Sequence, residues 1–386
     1  MSLPAGTRVA VVHDWLVDFA GAERALAGVL QCFPQADLFA LLDCMPERER
    51  GPLGGKRAST TFLQRMPGIP GRLKYYLPVM PFAIEQLDVT GYDLVISSSH
   101  AVAHGVIVSP DALHVGYVYS PMRYAWDQQF TYLRGEGLES GLRGAALRWA
   151  LHRLRIWDHR AAAGLDRIVA DSAFAARRIG KAWRREAEVI PPPVDTEFFR
   201  PGGARQDHYV TVSRLVAYKR IDLLVAAFAR MPDRRLTVVG DGPESANLRA
   251  AAPANVTFAG ALGAEAMRAE LQSARAFLFA AVEDFGIAPV EALACGTPVI
   301  ALRRGGAAET VAGLEAGEPT GVFFDEQSPE AVVRAVRAFE AAPAGRITPE
   351  QCRRRAEGYA MARFRERFTA CVEGAYLQWR REHSLP

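Results

Sequence analysis

Several features that define other protein classes are missing from this sequence. Its five cysteines are odd in number and scattered, and no two form a Cys-x-x-Cys pair, so neither a disulfide framework nor a zinc site is expected. No apolar run approaches the ~20 residues that span a bilayer. The N-terminal run is interrupted by His13 and Asp14 and predicts a first strand, not a signal peptide. The net charge of +3 is too small to indicate a nucleic-acid partner. We therefore expect a cytoplasmic protein.

The sequence does contain the pattern of an α/β protein. Short β-branched runs are each followed by a helical pattern, at Arg8–His13, Leu94–Ser98, Val115–Tyr119, Tyr209–Ser213, Leu236–Val239, Ala276–Ala280 and Val299–Leu302. Strands that alternate with helices predict parallel sheets covered by helices on both faces. Because the chain has 386 residues, we expect two such domains of roughly 150–200 residues each.

The domain boundary is expected in the stretch Pro191–Gln206, which opens with three prolines and contains Pro201-Gly202-Gly203. Proline cannot donate to a sheet ladder, and glycine loosens the chain. We place an N-terminal domain at residues 1–195 and a C-terminal domain at 196–365. A final helix at 366–386 is expected to pack back across the domain junction.

The segment Phe277–Val299 (FLFAAVEDFGIAPVEALACGTPV) predicts a strand, a loop and a helix. We expect the strand to end at Glu283, the helix to begin at Pro289 and Gly296 to end it. Glu283 would then lie at the carboxyl end of a strand, where open α/β sheets bind ligands, and Glu291 in the first helical turn. The loop amides could bind a diphosphate and Glu291 a ribose. The alternative is a pair of ordinary carboxylates at a helix start.

A basic cluster follows the strand that begins the second half, within TVSRLVAYKRID at Thr211–Asp222. Arg214 and Lys219 would lie at the mouth of the same sheet, where their charges can neutralise a diphosphate leaving group. Lys219 and Arg220 are adjacent, so we expect only one of them to point inward. A solvated basic helix start is the alternative.

Together these motifs resemble family 4 retaining glycosyltransferases, which have two Rossmann-like domains facing each other across a cleft (GT-B type). The resemblance covers nearly all of the second domain, through SRLVAYKRID, VGDGPE at Val239–Glu244, NVTFAG at Asn255–Gly260, the two glutamates, ALRRGGAAETV at Ala301–Val311 and GVFF at Gly321–Phe324.

The resemblance implies a role for each matching position. Arg214 and Lys219 would hold the donor diphosphate, and Glu291 the ribose. Glu283 would hold the transferred sugar, together with the amides of Phe285, Gly286, Ile287 and Ala288.

The first domain matches less closely. FAGAERAL at Phe19–Leu26 resembles the family's glycine-rich loop, so Gly21 is expected beside the donor, although Ala20 replaces a frequent glycine. SSSHAVAHG at Ser97–Gly105 resembles the segment whose histidine, here His100, binds the donor sugar. HVGYVYSPMRYAWDQ at His114–Gln128 resembles bacterial mannosyltransferase-like members that build surface polysaccharides, and Arg123, Trp126 and Asp127 would bind the acceptor there. A structural histidine and a capped helix with a buried Trp are the respective alternatives.

Motifs for other ligands fail. Asp-x-Asp occurs nowhere, so we predict neither a metal nor another cofactor. GPLGGK at Gly51–Lys56 departs from a P-loop, and the glycines around Asp241 lack the third member of a dinucleotide fingerprint.

We expect transfer of mannose from GDP-mannose to a saccharide or lipid-linked saccharide, in bacterial surface polysaccharide synthesis. A UDP-sugar donor, a sugar-nucleotide 2-epimerase and a non-catalytic sugar-nucleotide binding subunit remain alternatives. Two basic, aromatic segments, Gly71–Phe82 and Gly141–Arg160, suggest peripheral contact with the inner face of the cytoplasmic membrane. A core-facing helix with a solvated basic side explains them equally well.

Overall fold

The computed structural model describes residues 3–4, 6–135 and 137–383. The chain divides into two compact units. Unit 1 comprises Met1–Pro192 together with Phe364–Pro386, and unit 2 comprises Pro193–Arg363.

The sheet of unit 1 has seven parallel strands in the order β3-β2-β1-β4-β5-β6-β7. These strands are β1 Val9–His13, β2 Asp37–Ala40, β3 Ser59–Thr60, β4 Leu94–Ser99, β5 Leu113–Val118, β6 Arg167–Ala170 and β7 Glu188–Val189. The α-helices that accompany them are α1 Gly21–Cys32, α2 Met80–Ile84, α3 Gln129–Gly135, α4 Gly141–Ala161 and α5 Ala173–Trp183.

Unit 2 repeats this plan with six parallel strands in the order β10-β9-β8-β11-β12-β13. Its strands are β8 Tyr209–Val212, β9 Leu236–Val239, β10 Val256–Gly260, β11 Ala276–Phe279, β12 Val299–Leu302 and β13 Gly321–Phe324. Its α-helices are α6 Ile221–Phe228, α7 Ser245–Ala250, α8 Ala264–Ser273, α9 Ile287–Ala294, α10 Ala307–Thr310, α11 Pro329–Ala341 and α12 Pro349–Glu357. The predicted fold class, two Rossmann-like parallel sheets, is confirmed.

The central strands of both sheets are buried on their two faces, as is typical of parallel sheets. The strand β11 shows this directly, because its side chains alternate between two cores. Leu278 packs in one core with Phe228 and Ile300, whereas Phe277 and Phe279 pack in the other. This explains why the run is continuously apolar instead of alternating with polar residues.

Helix ends follow local sequence signals. Ser328 caps α11 by accepting a hydrogen bond from the amide of Ala331 at 3.2 Å, and Pro329 occupies its first position. Thr348 and Gln351 form a capping box at the start of α12. Both arrangements satisfy amides that the helix itself leaves without partners.

The last helix, α13 (Met361–Glu382), completes the core of unit 1. Phe364 and Phe368 stack on each other with ring centroids 5.2 Å apart, and both meet Tyr117 of β5 edge-on. Phe368 also contacts Phe33, which follows α1, and its side chain is fully buried. These aromatic contacts bind the C-terminal end of the chain to unit 1.

Within the described residues, no helix is both long enough and apolar enough to cross a bilayer.

Candidate functional site

Each sheet has one point at which the direction of strand order reverses, between β1 and β4 in unit 1 and between β8 and β11 in unit 2. The loops that leave such neighbouring strands diverge to opposite faces of the sheet, which opens a crevice at the carboxyl ends. The predicted residues Arg214, Lys219 and Glu283 follow β8 and β11, and His100 follows β4.

The loop after β8 carries the predicted basic residues of unit 2. Arg214 is exposed, and Lys219 ends a short 3-10 helix, Ala217–Lys219. Arg220 then adopts a left-handed backbone with φ of 56°, and its guanidinium lies 3.2 Å from the Asp222 carboxylate. Lys219 turns toward β11 instead, so only one of the two adjacent cations enters the crevice, as predicted.

Lys219 and Glu283 form an ion pair across the switch point of unit 2. The side chain of Lys219 is 18% exposed and that of Glu283 is 19% exposed. Contact with water weakens the attraction between the two charges, so a more strongly charged ligand can compete for either side chain. The structure thus brings two of the predicted residues together in a position that a ligand can reach.

The helix that follows, α9, begins earlier than predicted. Strand β11 ends at Phe279, not at Glu283, and α9 begins at Ile287, so Pro289 is its third residue. Gly286 makes the early start feasible, because it precedes the helix with φ of 82°, a conformation that glycine adopts without strain. Proline is tolerated at the third position, since the first amides of a helix have no internal acceptor.

Glu291 consequently lies in the second turn of α9, not the first, and is only 3% exposed. The predicted loop Phe285–Ala288 contains the N-terminus of α9, whose amides and dipole favour an anion. Phe285 itself is buried against Tyr359.

Close backbone packing fixes the Glu283 loop. The amide of Gly306 donates to the carbonyl oxygen of Glu283 at 2.9 Å. A Cβ added at Gly306 would lie 2.1 Å from the carbonyl oxygen of Phe285. Only glycine allows this approach, so the Gly305-Gly306 pair of the ALRRGGAAETV motif positions Glu283 without contributing a side chain.

The crevice of unit 1 is organised around a buried carboxylate, Asp14, which sequence reasoning had not singled out. Asp14 directly follows β1 and has no exposed surface. Its two oxygens accept hydrogen bonds from four consecutive amides after β4, at 2.6, 3.0, 2.6 and 2.7 Å for His100, Ala101, Val102 and Ala103. The position of Asp14, at the end of a strand beside the switch point, is the signal that could have identified it.

His100 lies against this carboxylate, with Nδ1 3.0 Å from Asp14 Oδ2. Burial alone would lower the pKa of His100, but the charge and hydrogen bond of Asp14, together with the charge of Glu23, outweigh burial and raise that pKa. Burial alone would likewise raise the pKa of Asp14, yet the contacts with His100 and His13 hold it well below its usual range. The two groups therefore favour an imidazolium facing a carboxylate.

A second carboxylate and histidine pair lies beside the first. His13 Nε2 is 3.5 Å from Glu23 Oε1, and His13 Nδ1 is 3.0 Å from Ser98 Oγ. Burial would raise the pKa of Glu23, but the hydrogen bond and charge of His13 lower it. The ring of Trp15 meets that of His100 edge-on, with the ring centroids 4.6 Å apart. His13 and Glu23 had not been predicted either.

Gly21 begins α1 at this same crevice. Glu23 accepts from the amide of Ala20 at 3.1 Å, and the Tyr119 hydroxyl donates to the carbonyl oxygen of Ala22 at 2.8 Å. Ala20 has an extended backbone with φ of −113°, which any residue adopts, so the missing glycine causes no strain there.

The three residues predicted to bind the acceptor differ in their surroundings. Arg123 lies near enough to His100 for its charge to oppose protonation of that ring. The indole of Trp126 donates to the buried carboxylate of Asp158 at 2.7 Å, and Asp127 pairs with Arg178 at 2.6 Å. Trp126 and Asp127 thus have partners within unit 1 that account for them structurally, and acceptor binding stays a prediction for all three.

Within the part of the chain that the structure describes, no group of three or more His, Cys, Asp or Glu side chains is arranged to hold a metal ion. Independence of metals and other cofactors remains a prediction.

Part of the chain matches a known protein family. Residues 195–359 match the family described as glycosyl transferases group 1. Over 209 residues the chain is 32% identical to a GDP-mannose-dependent alpha-(1-6)-phosphatidylinositol monomannoside mannosyltransferase of Mycolicibacterium smegmatis, covering 46% of this chain and 54% of that protein. It is 30% identical over 206 residues to a D-inositol 3-phosphate glycosyltransferase of Segniliparus rotundus, covering 46% and 45%. The chain thus spans about half the length of these curated relatives.

Solved structures show the same fold at low identity. The crystal structure of Anabaena HepE in complex with UDP matches with a TM-score of 0.72 and 16% identity, over 95% of this chain and all of that one. Sucrose-phosphate synthase from Thermosynechococcus elongatus matches with a TM-score of 0.70 and 19% identity, over 96% of this chain and all of that one. The chain therefore has a two-Rossmann-domain fold of the GT-B type, and its residues 195–359 match the family of glycosyl transferases group 1.

Proposed function

We propose that the protein is a retaining glycosyltransferase that moves mannose from GDP-mannose to a saccharide or lipid-linked saccharide. The observation that carries this proposal is the ion pair of Lys219 and Glu283 at the switch point of unit 2. Arg214, in the same loop as Lys219, is exposed, and the N-terminus of α9 follows Glu283 along the chain. Cations, a carboxylate and helix amides at one switch point match the diphosphate and hydroxyl groups of a nucleotide sugar.

Each group has a role in the proposed reaction. As the bond between the sugar and the diphosphate breaks, negative charge grows on the diphosphate, and Arg214 and Lys219 would stabilise it. Lys219 would then exchange part of its contact with Glu283 for a contact with phosphate. Glu283 would orient the sugar hydroxyls, and Glu291 would accept hydroxyls of the ribose.

The proposed chemistry retains configuration by a front-face route. In that route the departing diphosphate takes up the proton of the acceptor hydroxyl, so no side chain has to act as a covalent nucleophile. His100, held in place by Asp14, is proposed to hydrogen-bond the transferred sugar. Arg123 is proposed to bind the acceptor.

The choice of mannose rests on those relatives whose names specify GDP-mannose, among them the Mycolicibacterium smegmatis protein. A UDP-sugar donor is the second candidate, because HepE binds UDP on the same fold. Phosphatidylinositol mannosides, the acceptors named for those relatives, are lipids. For this chain a lipid-linked acceptor in surface polysaccharide synthesis, met at the inner face of the cytoplasmic membrane, is proposed by analogy.

A panel of GDP, UDP, ADP and dTDP, each with and without EDTA, tests the donor site through thermal stabilisation. A ligand that binds only the folded protein raises its free energy of unfolding by RT ln(1 + [L]/Kd). We expect a shift with GDP that persists in EDTA. Replacing Lys219 with Ala should weaken the binding of that nucleotide by roughly 10- to 100-fold in calorimetric titration, because one charge-assisted hydrogen bond is lost.

Lys181, which is exposed on α5 of unit 1, provides the matched control, because Lys181→Ala removes the same charge from a helix that carries none of the proposed donor residues. A shift with UDP alone would replace the donor and keep the reaction class. No shift with any nucleotide, from a folded protein, would overturn the proposed donor site.

A further inference from the structure

The solvent side of α4 carries large apolar side chains that no core requires. Leu142, Trp149 and Ile156 are 91%, 67% and 50% exposed, and their spacing of seven residues places them on one face of the helix. The opposite face carries Leu151, Leu154 and the other buried residues of α4. The helix therefore has two apolar faces, of which only one is covered.

The exposed face is also strongly basic. Arg153 and Arg160 are exposed and follow the same helical stripe, and the guanidinium of Arg153 lies 6.0 Å from the centre of the Trp149 ring. We call the set Leu142, Trp149, Arg153, Ile156 and Arg160 the α4 outer face.

No negative charge balances these arginines within the helix. The sequence of α4 contains one carboxylate, Asp158. It is fully buried, where it accepts hydrogen bonds from the indoles of Trp126 and Trp183 at 2.7 and 2.6 Å. The α4 outer face is therefore apolar and positive, without an acidic side chain.

A neighbouring segment repeats this chemistry. The 3-10 helix Leu73–Val79 packs beside α4. Its Tyr75 is 71% exposed, with the ammonium of Lys74 5.4 Å from the ring centre, and Phe82 further along is 59% exposed. Residues 71–82 contain no Asp or Glu.

We propose that the α4 outer face, with the adjoining Tyr75 and Phe82, docks on the surface of a bilayer that contains anionic lipids. Trp, Leu and Ile would enter the boundary between headgroups and acyl chains, while the arginines extend to the phosphates. The positive charge of this surface selects an anionic partner. A second copy of the chain is disfavoured, because two such faces would bring like charges together.

The inference deepens the proposed function and rests on it for its purpose, because docking would bring the enzyme to a lipid-linked acceptor. Its physical basis is the α4 outer face with Tyr75 and Phe82, and none of the residues proposed to bind the donor belongs to that set. The two proposals can therefore fail separately.

Vesicle co-sedimentation of the full chain tests the docking. We expect binding to vesicles of phosphatidylcholine mixed with phosphatidylglycerol, and weak binding to phosphatidylcholine alone. The triple variant Leu142→Ser, Trp149→Ser, Ile156→Ser should bind the mixed vesicles about tenfold or more weakly, because it loses the apolar contribution. All three positions are exposed, so the fold should persist, and an unchanged midpoint of thermal unfolding without ligand verifies this.

A charge-matched pair of variants isolates the arginines. Arg153→Gln with Arg160→Gln should weaken binding to the mixed vesicles by roughly 10- to 30-fold at low salt. Arg334→Gln with Arg337→Gln, at exposed positions of α11 in unit 2, should leave it unchanged.

Absence of vesicle binding by the wild type, or equal binding by the variants and the wild type, would overturn the docking proposal. So would self-association in sedimentation velocity that the triple variant abolishes, since that result assigns the face to a second copy. Vesicle binding that behaves as expected, in a protein that responds to no nucleotide, would support the docking surface and overturn the proposed donor site alone.

Discussion

The two switch-point crevices hold their loops in different ways. In unit 1 a fully buried carboxylate, Asp14, binds four consecutive backbone amides of the loop after β4. In unit 2 the loop after β11 is held by backbone packing against Gly306, and the charged residues Lys219 and Glu283 are each nearly one-fifth exposed. Unit 1 uses its negative charge to build the crevice, whereas unit 2 keeps its charges available for a ligand.

This comparison predicts that the same chemical change has unequal consequences in the two units. Asp14→Asn removes the charge and turns an amide NH₂ toward backbone N–H groups, which should lower the free energy of unfolding by about 3–5 kcal/mol. Glu283→Gln changes a partly solvated ion pair and should cost about 1 kcal/mol or less. Urea denaturation at pH 7 measures both. Equal losses would show that the two carboxylates have the same structural role.

The second prediction concerns Gly306, whose close packing holds the loop after β11 in unit 2 as Asp14 holds the loop after β4 in unit 1. Gly306→Ala should lower the free energy of unfolding by about 1–3 kcal/mol, because its Cβ would overlap the carbonyl of Phe285. Gly317→Ala is the matched control, since a Cβ there meets nothing within 4 Å. If both variants are equally stable, the close approach at Gly306 does not hold the loop.

The smallest predicted effect is a pH dependence confined to unit 1. The pKa of His100 is raised by Asp14, so the ion pair stabilises the fold fully below the usual histidine pKa and is lost as pH rises through the raised value. Glu23 and His13 face the same corner, and Arg123 opposes the shift.

His100→Gln should therefore destabilise the protein more at pH 6 than at pH 9, by about 1 kcal/mol. His152→Gln, at an exposed position of α4, should show no such difference between the two pH values. A His100 effect that is constant from pH 6 to pH 9 would mean that its imidazole does not change protonation state over this range.

Features of the site that depend on residues close together in the sequence could be predicted better than those that depend on distant residues. Gly296 was correctly predicted to end α9, because a left-handed residue after a helix is a local signal. The start of α9 was misplaced, because proline is most typical of the first position of a helix and Pro289 was assigned to it. Proline is also tolerated at the third position, because the amide there has no acceptor within the helix. Strands such as β3 and β7, two residues each, were too short to recognise.

Partners distant in sequence were beyond the reach of the motifs. Trp126 and Asp158 are 32 residues apart, and Asp127 and Arg178 are 51 apart, so nothing local could show that these side chains are engaged. Asp14 and His100 are 86 apart, yet each follows a strand, and the strand order brings them together. The topology of the sheet, once known, would have been sufficient to place that pair.

The contribution of α13 to unit 1 has a consequence for synthesis on the ribosome. Unit 2 is continuous in sequence, whereas the aromatic core of unit 1 needs Phe364 and Phe368 from the end of the chain. Domains generally fold in the order in which they are translated. In this protein unit 2 can finish folding first, whereas unit 1 must wait, with part of its core uncovered, until α13 has been translated.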